Sequence, residues 1–447
     1  MSEEGAGNPL WMPSSSTLEL RRRRRRKGEG RGGPATDPGK RATGTSGRSG
    51  DEAALGERVA AGGADTADRG FPTGSYLAIL GAAFLCYAAL GSVVRILPSY
   101  VPGIGGGPVG VGLGVGAPAL SAIFTRPLGG RWSDRTGPRR VMLVGAGVMA
   151  LGAPLALIET LPMLMLSRLL VGAGEGLMMS AAALWLLRLG GEERRGRSMG
   201  HVGLANYGGL VAGPLLAVAL GGVGHPSRVF LLGILLPPAG ALLVLLMRPG
   251  SGGPHSAAQE ERASLRAVLG WTLRPGLGLM LVNMGYAALI SFGALAIATN
   301  GAGGAGLVLP VFAGVVILVR GLAGSVPDRV GPERTLLVAC PPAALGLLGV
   351  GLAPSTALAL LSVAVLSAGQ ALAVPALAVI AVRRAPSSQH GATAGLFFAW
   401  FDAGVGIGGP VAGLAAHLSS STGAMVVAAV AVAATPILAG AARLTSR

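Results

Sequence analysis

Three ionisable side chains interrupt otherwise apolar runs of this sequence. Arg168 and Glu175 lie in LMLSRLLVGAGEGLMMSAAALWLL, and Asp402 lies in AGLFFAWFDAGVGIGG. A charge at the centre of a bilayer costs about 2.5–3.5 kcal/mol even on the mildest scale, so each must face protein interior or water. A carboxylate in such a place is expensive as an anion and can take up and release a proton. Glu175 and Asp402 are therefore candidates for proton coupling, and Arg168 joins them as the third charged member of that set. Arg168 stands seven positions, two helical turns, before Glu175, which puts both on one helix face about 10 Å apart along the axis. The competing role for all three is packing or a helix-end contact.

A second constellation is written twice. GGRWSDRTGPRR (129–140) returns as AGSVPDRVGPER (323–334), with Gly130/Gly324, Asp134/Asp328, Arg135/Arg329, Gly137/Gly331, Pro138/Pro332 and Arg140/Arg334 matched at an offset of 194. Gly130, Gly137 and Pro138 permit a tight turn, and Asp134 is an acceptor for the positive end of a helix or for an arginine. Arg139 adds to the positive charge of the first copy. RRGRSMG (194–200) likewise matches QHGATAG (389–395), and GGLVAGPLLA (208–217) matches GVGIGGPVAG (404–413), at offsets of 195 and 196. Three landmarks at nearly one offset imply a duplicated unit of six helices, a transporter plan in which the solute binds between halves near mid-membrane.

The elements that must position these residues are membrane helices. Of 447 residues, 51% are hydrophobic and only 13% charged, about half the charge of a soluble chain. A bilayer core needs roughly 20 apolar residues in helical form. Twelve such runs occur, near 75–97, 105–128, 141–158, 161–187, 199–221, 229–247, 275–297, 305–325, 335–353, 356–381, 392–417 and 423–441. Eighteen arginines, Arg126 and Arg320 among them, fall in connections after even-numbered spans, and 15 basic residues lie in the two tails. The other face has only Arg95, which suits a headgroup anchor, and Arg228. The positive-inside rule then puts both termini in the cytoplasm. The expected fold is an all-α integral membrane protein of 12 transmembrane helices in two pseudo-symmetric six-helix bundles, at 71–247 and 275–447. A cytoplasmic linker at 248–274 joins them. Residues 1–70 hold too few aliphatic side chains for a core and are expected to be a disordered basic cytoplasmic tail, whose RRRRRRK (21–27) suits anionic lipid headgroups. No signal peptide is visible in it.

The charged phrase of residues 130–140 resembles the signature loop of the major facilitator superfamily (MFS), and PDRVGPER (327–334) resembles its counterpart in the second half. RLLVGAGEG (168–176) is similar to the family's span-4 motif, with Val171 in place of a polar residue. Gly200, Gly209, Gly213 and Pro214 in span 5 are similar to the motif of bacterial drug/proton antiporters, with Ala217–Val218 replacing the closing glycines. The wider phrasing resembles arabinose-efflux-like permeases. The resemblance covers about 75–442. It implies that Asp134 latches onto the start of span 11 when the protein faces outward, and Asp328 onto the start of span 5. A solvated turn whose arginines only set topology is the alternative.

Gly209, Gly213 and Pro214 read as close-packing and bending elements. Asn206, Tyr207, Asn283, Tyr286 and Gln370 could line a cavity or hydrogen-bond between helices. The Gly-rich runs GAGEG and GVGLGVG follow no strand, no Walker phrase occurs, and the five His show no metal spacing, so no cofactor and no metal site are expected. Cys86 and Cys340 both fall in apolar runs and suit buried small hydrophobes. Enzymatic nucleophile–base pairs are missing, and nucleic-acid binding has no role for a membrane body. The expected function is secondary active transport of a small organic solute by alternating access, as proton-coupled efflux by a monomer in the cell inner membrane. A proton-linked importer of a sugar or metabolite and a non-transporting membrane sensor or scaffold are the rivals.

Overall fold

The computed structural model describes residues 73–190, 195–247, 264–386 and 389–440, with side chains throughout except at 190, 195–200, 390 and 391. The basic tail, most of the expected linker and Arg194 lie outside the described residues. Among the described residues, twelve helices are long and apolar enough to cross a membrane. In chain order they are α1 (Thr73–Gly103), α2 (Pro108–Thr136), α3 (Pro138–Gly152), α4 (Leu161–Gly190), α5 (Arg195–Ala219) and α6 (Pro226–Leu245). Then come α7 (Leu265–Ala288), α8 (Val308–Ala323), α9 (Pro332–Leu352), α10 (Thr356–Arg383), α11 (His390–Leu418) and α12 (Ser421–Leu438). A π-turn at Leu289–Gly293 prolongs α7 into Ala294–Thr299.

Two boundaries move furthest from expectation. Helix α7 starts at Leu265, because Ser264 caps it by accepting from the Ala267 N–H and the polar segment after it is helical rather than loop. Helix α2 runs on to Thr136, so Gly130 sits inside a helix and only Gly137 makes the turn. Gly137 has φ +91° and Gly331 φ +99°, a backbone that glycine adopts at little cost, and Pro138 and Pro332 then open α3 and α9 with φ already set for a helix.

Helix packing repeats with the sequence. In the first half α1 packs on α5 and α6, α4 on α2 and α3, and α3 on α6; adding six to each number gives the packing of the second half. The halves meet through α2 with α11 and through α5 with α8, a pair that the same rule exchanges. Ile79, Met142, Met149 and Leu186 belong to one buried cluster, with Cys86 fully enclosed beside Met149. Outward positions keep large apolar side chains, with Leu151 78% and Leu322 80% exposed, which suits lipid and would be untenable as a continuous surface in water.

Candidate functional site

Arg126 is the centre of the site. It lies ten residues before the end of α2, inside the helix rather than in the connection where the arginine pattern placed it. Its Nη2 lies 3.0 Å from Glu175 Oε1 on α4 and donates to Asp402 Oδ1 on α11 at 3.2 Å, while its Nε lies 2.6 Å from Asp402 Oδ2. The Tyr87 hydroxyl on α1 donates to Glu175 Oε1 at 2.5 Å and accepts from Arg126 Nη2 at 3.4 Å. Glu175 and Asp402 are 4% and 3% exposed. One guanidinium therefore faces two buried carboxylates, and one of them belongs to the opposite half.

The glycines around these residues explain how the helices come this close. A Cβ at Gly172 would strike the Pro118 carbonyl, and one at Gly176 the Thr125 hydroxyl, so α4 can press Glu175 against α2 only without side chains there. The Ser180 hydroxyl, donating to the Arg126 carbonyl at 2.9 Å, fastens the same contact. Between α2 and α11 the approach is equally close and is backbone against backbone. A Cβ at Gly112 would strike the Gly409 carbonyl, and one at Gly116 would lie 2.7 Å from the Gly406 carbonyl. Gly406 is one turn beyond Asp402, so this seam delivers Asp402 to Arg126. On α5, Gly209 abuts the Phe84 carbonyl and Gly213 the Ala88 carbonyl, while Pro214 Cδ lies 3.1 Å from where a Gly91 Cβ would sit; this packs α5 onto the α1 segment that bears Tyr87.

Arg168 is 2% exposed and has a different partner. Its Nε donates to the Gly114 carbonyl at 2.9 Å. That carbonyl lies four residues before Pro118, whose missing N–H leaves it without its helical donor. Arg168 thus repairs the α2 ladder. Asn283 is fully buried and donates to its own helix at the Leu279 carbonyl, 2.8 Å away. Tyr286 packs against Phe312 with ring centroids 5.1 Å apart. Gln370 is buried with its Oε1 unpartnered, as is the Asn206 Oδ1. Tyr207 bridges the halves: Arg320 Nη2 on α8 donates to its hydroxyl at 3.2 Å, and the guanidinium carbon stands 4.2 Å from its ring centroid.

The signature loop lies on the face where α2 ends. Asp134 is exposed and accepts from Arg188 Nη2 of α4 at 2.9 Å, and Arg139 donates to the Leu245 carbonyl at 2.9 Å. Arg135, Arg140, Asp328 and Arg329 are exposed, and Asp328 and Arg329 make no ion pair among the described residues. The first side chains of α5 and α11, to which the resemblance ties Asp328 and Asp134, lie outside the described residues.

Sequence reasoning named Glu175, Asp402 and Tyr207 but missed Tyr87, Arg126 and Arg320. A signal was present: Arg126 and Arg320 are separated by the same 194 positions as the charged phrases, so both belong to the repeat.

Residues 79–409 match the family model described as Major Facilitator Superfamily. An uncharacterized MFS-type transporter of Burkholderia mallei (strain SAVP1) is 32% identical over 363 residues, 78% of this chain and 88% of the relative. One from Salmonella typhimurium (strain LT2) is 30% identical, covering 75% and 88%. Among solved structures, a bacterial homologue of the human lysosomal transporter Spinster, inward-facing and unoccupied, aligns with TM-score 0.69 at 16% identity over 85% of this chain and 99% of that one. A nucleoside transporter, NupG, aligns with TM-score 0.66 at 14% identity over 83% and 99%.

Proposed function

Because the chain belongs to the Major Facilitator Superfamily, we propose that it exports a small organic solute by alternating access, in exchange for protons that visit the Arg126 cluster. The observation that carries this reading is one guanidinium shared between a carboxylate of its own half, Glu175, and one of the other half, Asp402. A proton arriving on Asp402 cancels the charge that holds α11 to Arg126. The link across the halves weakens while Glu175 and Tyr87 retain Arg126. Proton occupancy and the contact between halves are thereby one equilibrium, as coupling requires. Each charge moving through 100 mV is worth about 2.3 kcal/mol, roughly a fifty-fold concentration ratio.

The exchanging unit is a monomer, set in a bacterial cytoplasmic membrane with the 129–140 face and both termini inside. Its two bundles (71–247 and 275–447) rock about the central site. The basic tail at 21–27 holds to anionic lipid. Asp134 and Asp328 act as latches on the inner face, the Arg188 pair being the partner that Asp134 keeps while unlatched. Metabolite profiling of a deletion strain should show a solute accumulating inside, and that solute in proteoliposomes should move against an imposed proton gradient. Asp402→Asn should lower gradient-driven flux about tenfold or more while leaving unlabelled–labelled solute exchange measurable. Solute entering together with protons would instead make the protein an importer.

A further inference from the structure

The internal repeat extends to the charged cluster itself, and it is unequal. Adding 194 to Arg126 gives Arg320, adding 195 to Glu175 gives Gln370, and adding 195 to Tyr207 gives Asp402. Helices α2 and α8 exchange under the repeat, as do α4 and α10, and α5 and α11. The molecule therefore builds the same arginine twice, each reaching from the second helix of its half to the fifth helix of the other. Arg126 meets one carboxylate there, Asp402, and a second, Glu175, on the fourth helix of its own half. The counterparts of Glu175 and Asp402 in the repeat are the uncharged Gln370 and Tyr207, and Arg320 makes no ion pair among the described residues.

We propose that Arg320, held over the Tyr207 ring, is the docking point for an acidic group of the transported solute, and that the solute class is small organic carboxylates. This rests on the transporter reading above. A guanidinium presents donors in a planar fork that matches a carboxylate. One amine of this fork is spent on the Tyr207 hydroxyl at 3.2 Å, while the Nε is buried without a partner. The Tyr207 ring, 4.2 Å from the guanidinium carbon, fixes the cation by its π-face and leaves its charge uncancelled. A half-buried cation of this kind, bridging the two halves with no counter-ion among the described residues, gains most from an incoming anion. The Arg126 cluster cannot serve that end, since its carboxylates already occupy the guanidinium and would repel a second anion.

The test uses the full-length protein in detergent, melted at fixed pH and ionic strength with acetate, benzoate or citrate, each beside its neutral amide, and separately with phosphatidylglycerol. At least one carboxylate should raise the melting temperature while its amide does not. Arg320→Gln should weaken that carboxylate about ten- to hundredfold. Arg320→Lys, which keeps charge but not the fork, should weaken it less and should melt like the parent without ligand. Tyr207→Phe should retain binding because the ring remains. Stabilisation by no carboxylate, equal stabilisation of Arg320→Gln, or stabilisation by the anionic lipid alone would overturn the proposal. Carboxylate binding without flux in proteoliposomes would remove the transporter and leave the site. Flux of an amine or uncharged solute without carboxylate binding would do the reverse.

Discussion

Arg126 carries one positive charge between two carboxylates, so removing it is worse than removing the whole cluster. With Arg126→Gln, Glu175 and Asp402 are left buried with no cation, and breaking such a pair costs about 3–5 kcal/mol. Neutralising all three, as Arg126→Gln with Glu175→Gln and Asp402→Asn, removes the repulsion together with the attraction. The triple variant should therefore melt above the single Arg126→Gln variant in thermal unfolding of the detergent-solubilised protein, although neither should show proton-driven flux. A triple variant less stable than the single one would mean that the carboxylates do not depend on Arg126. The exposed Asp134–Arg188 pair has no such leverage; Asp134→Asn should change stability by less than about 1 kcal/mol, and any larger effect on flux would come from the conformational equilibrium.

At the scale of helices, the small residues set where the charged groups meet. A Cβ at Gly172 would strike the Pro118 backbone, so Gly172→Val should push α4 from α2 and draw Glu175 away from Arg126. Overpacking of this kind costs about 1–3 kcal/mol, and the variant should lose flux along with melting temperature. The twelve helices and their duplication were legible in the sequence because apolar length and a fixed repeat offset are local properties. The end of α2 was not, since arginine in an apolar run ordinarily marks where a membrane helix stops. Arg126 escapes that rule because Glu175 and Asp402, brought by other helices, neutralise it; that is tertiary information. Arg168 misled in the opposite direction. As a charge near Glu175 it looked like part of the chemistry, yet its partner is a carbonyl that Pro118 leaves free, a relation visible only once α2 and α4 are packed.

For the whole molecule, the duplication demands that the two charged phrases share one face of the membrane. Single cysteines at Arg135 and Arg329, both exposed, should be labelled by an impermeant reagent from the same side, and one at Arg228 from the other. The native Cys86 and Cys340 are buried and should stay silent. Labelling of Arg135→Cys and Arg329→Cys from opposite sides would dismantle the two-bundle architecture. The seam of α2 and α11 carries a further consequence. Along Gly112, Gly116, Gly406 and Gly409 it is backbone against backbone, without charge or hydrogen-bonding side chains, whereas its continuation at Arg126 is ionic. Acidity and ionic strength can act only on the latter stretch. Bilayer thickness and temperature, which change helix tilt and van der Waals contact, act chiefly on the former. One pair of helices would thus answer to two independent variables, and the lipid composition of the host membrane would tune the cycle without touching the proton chemistry.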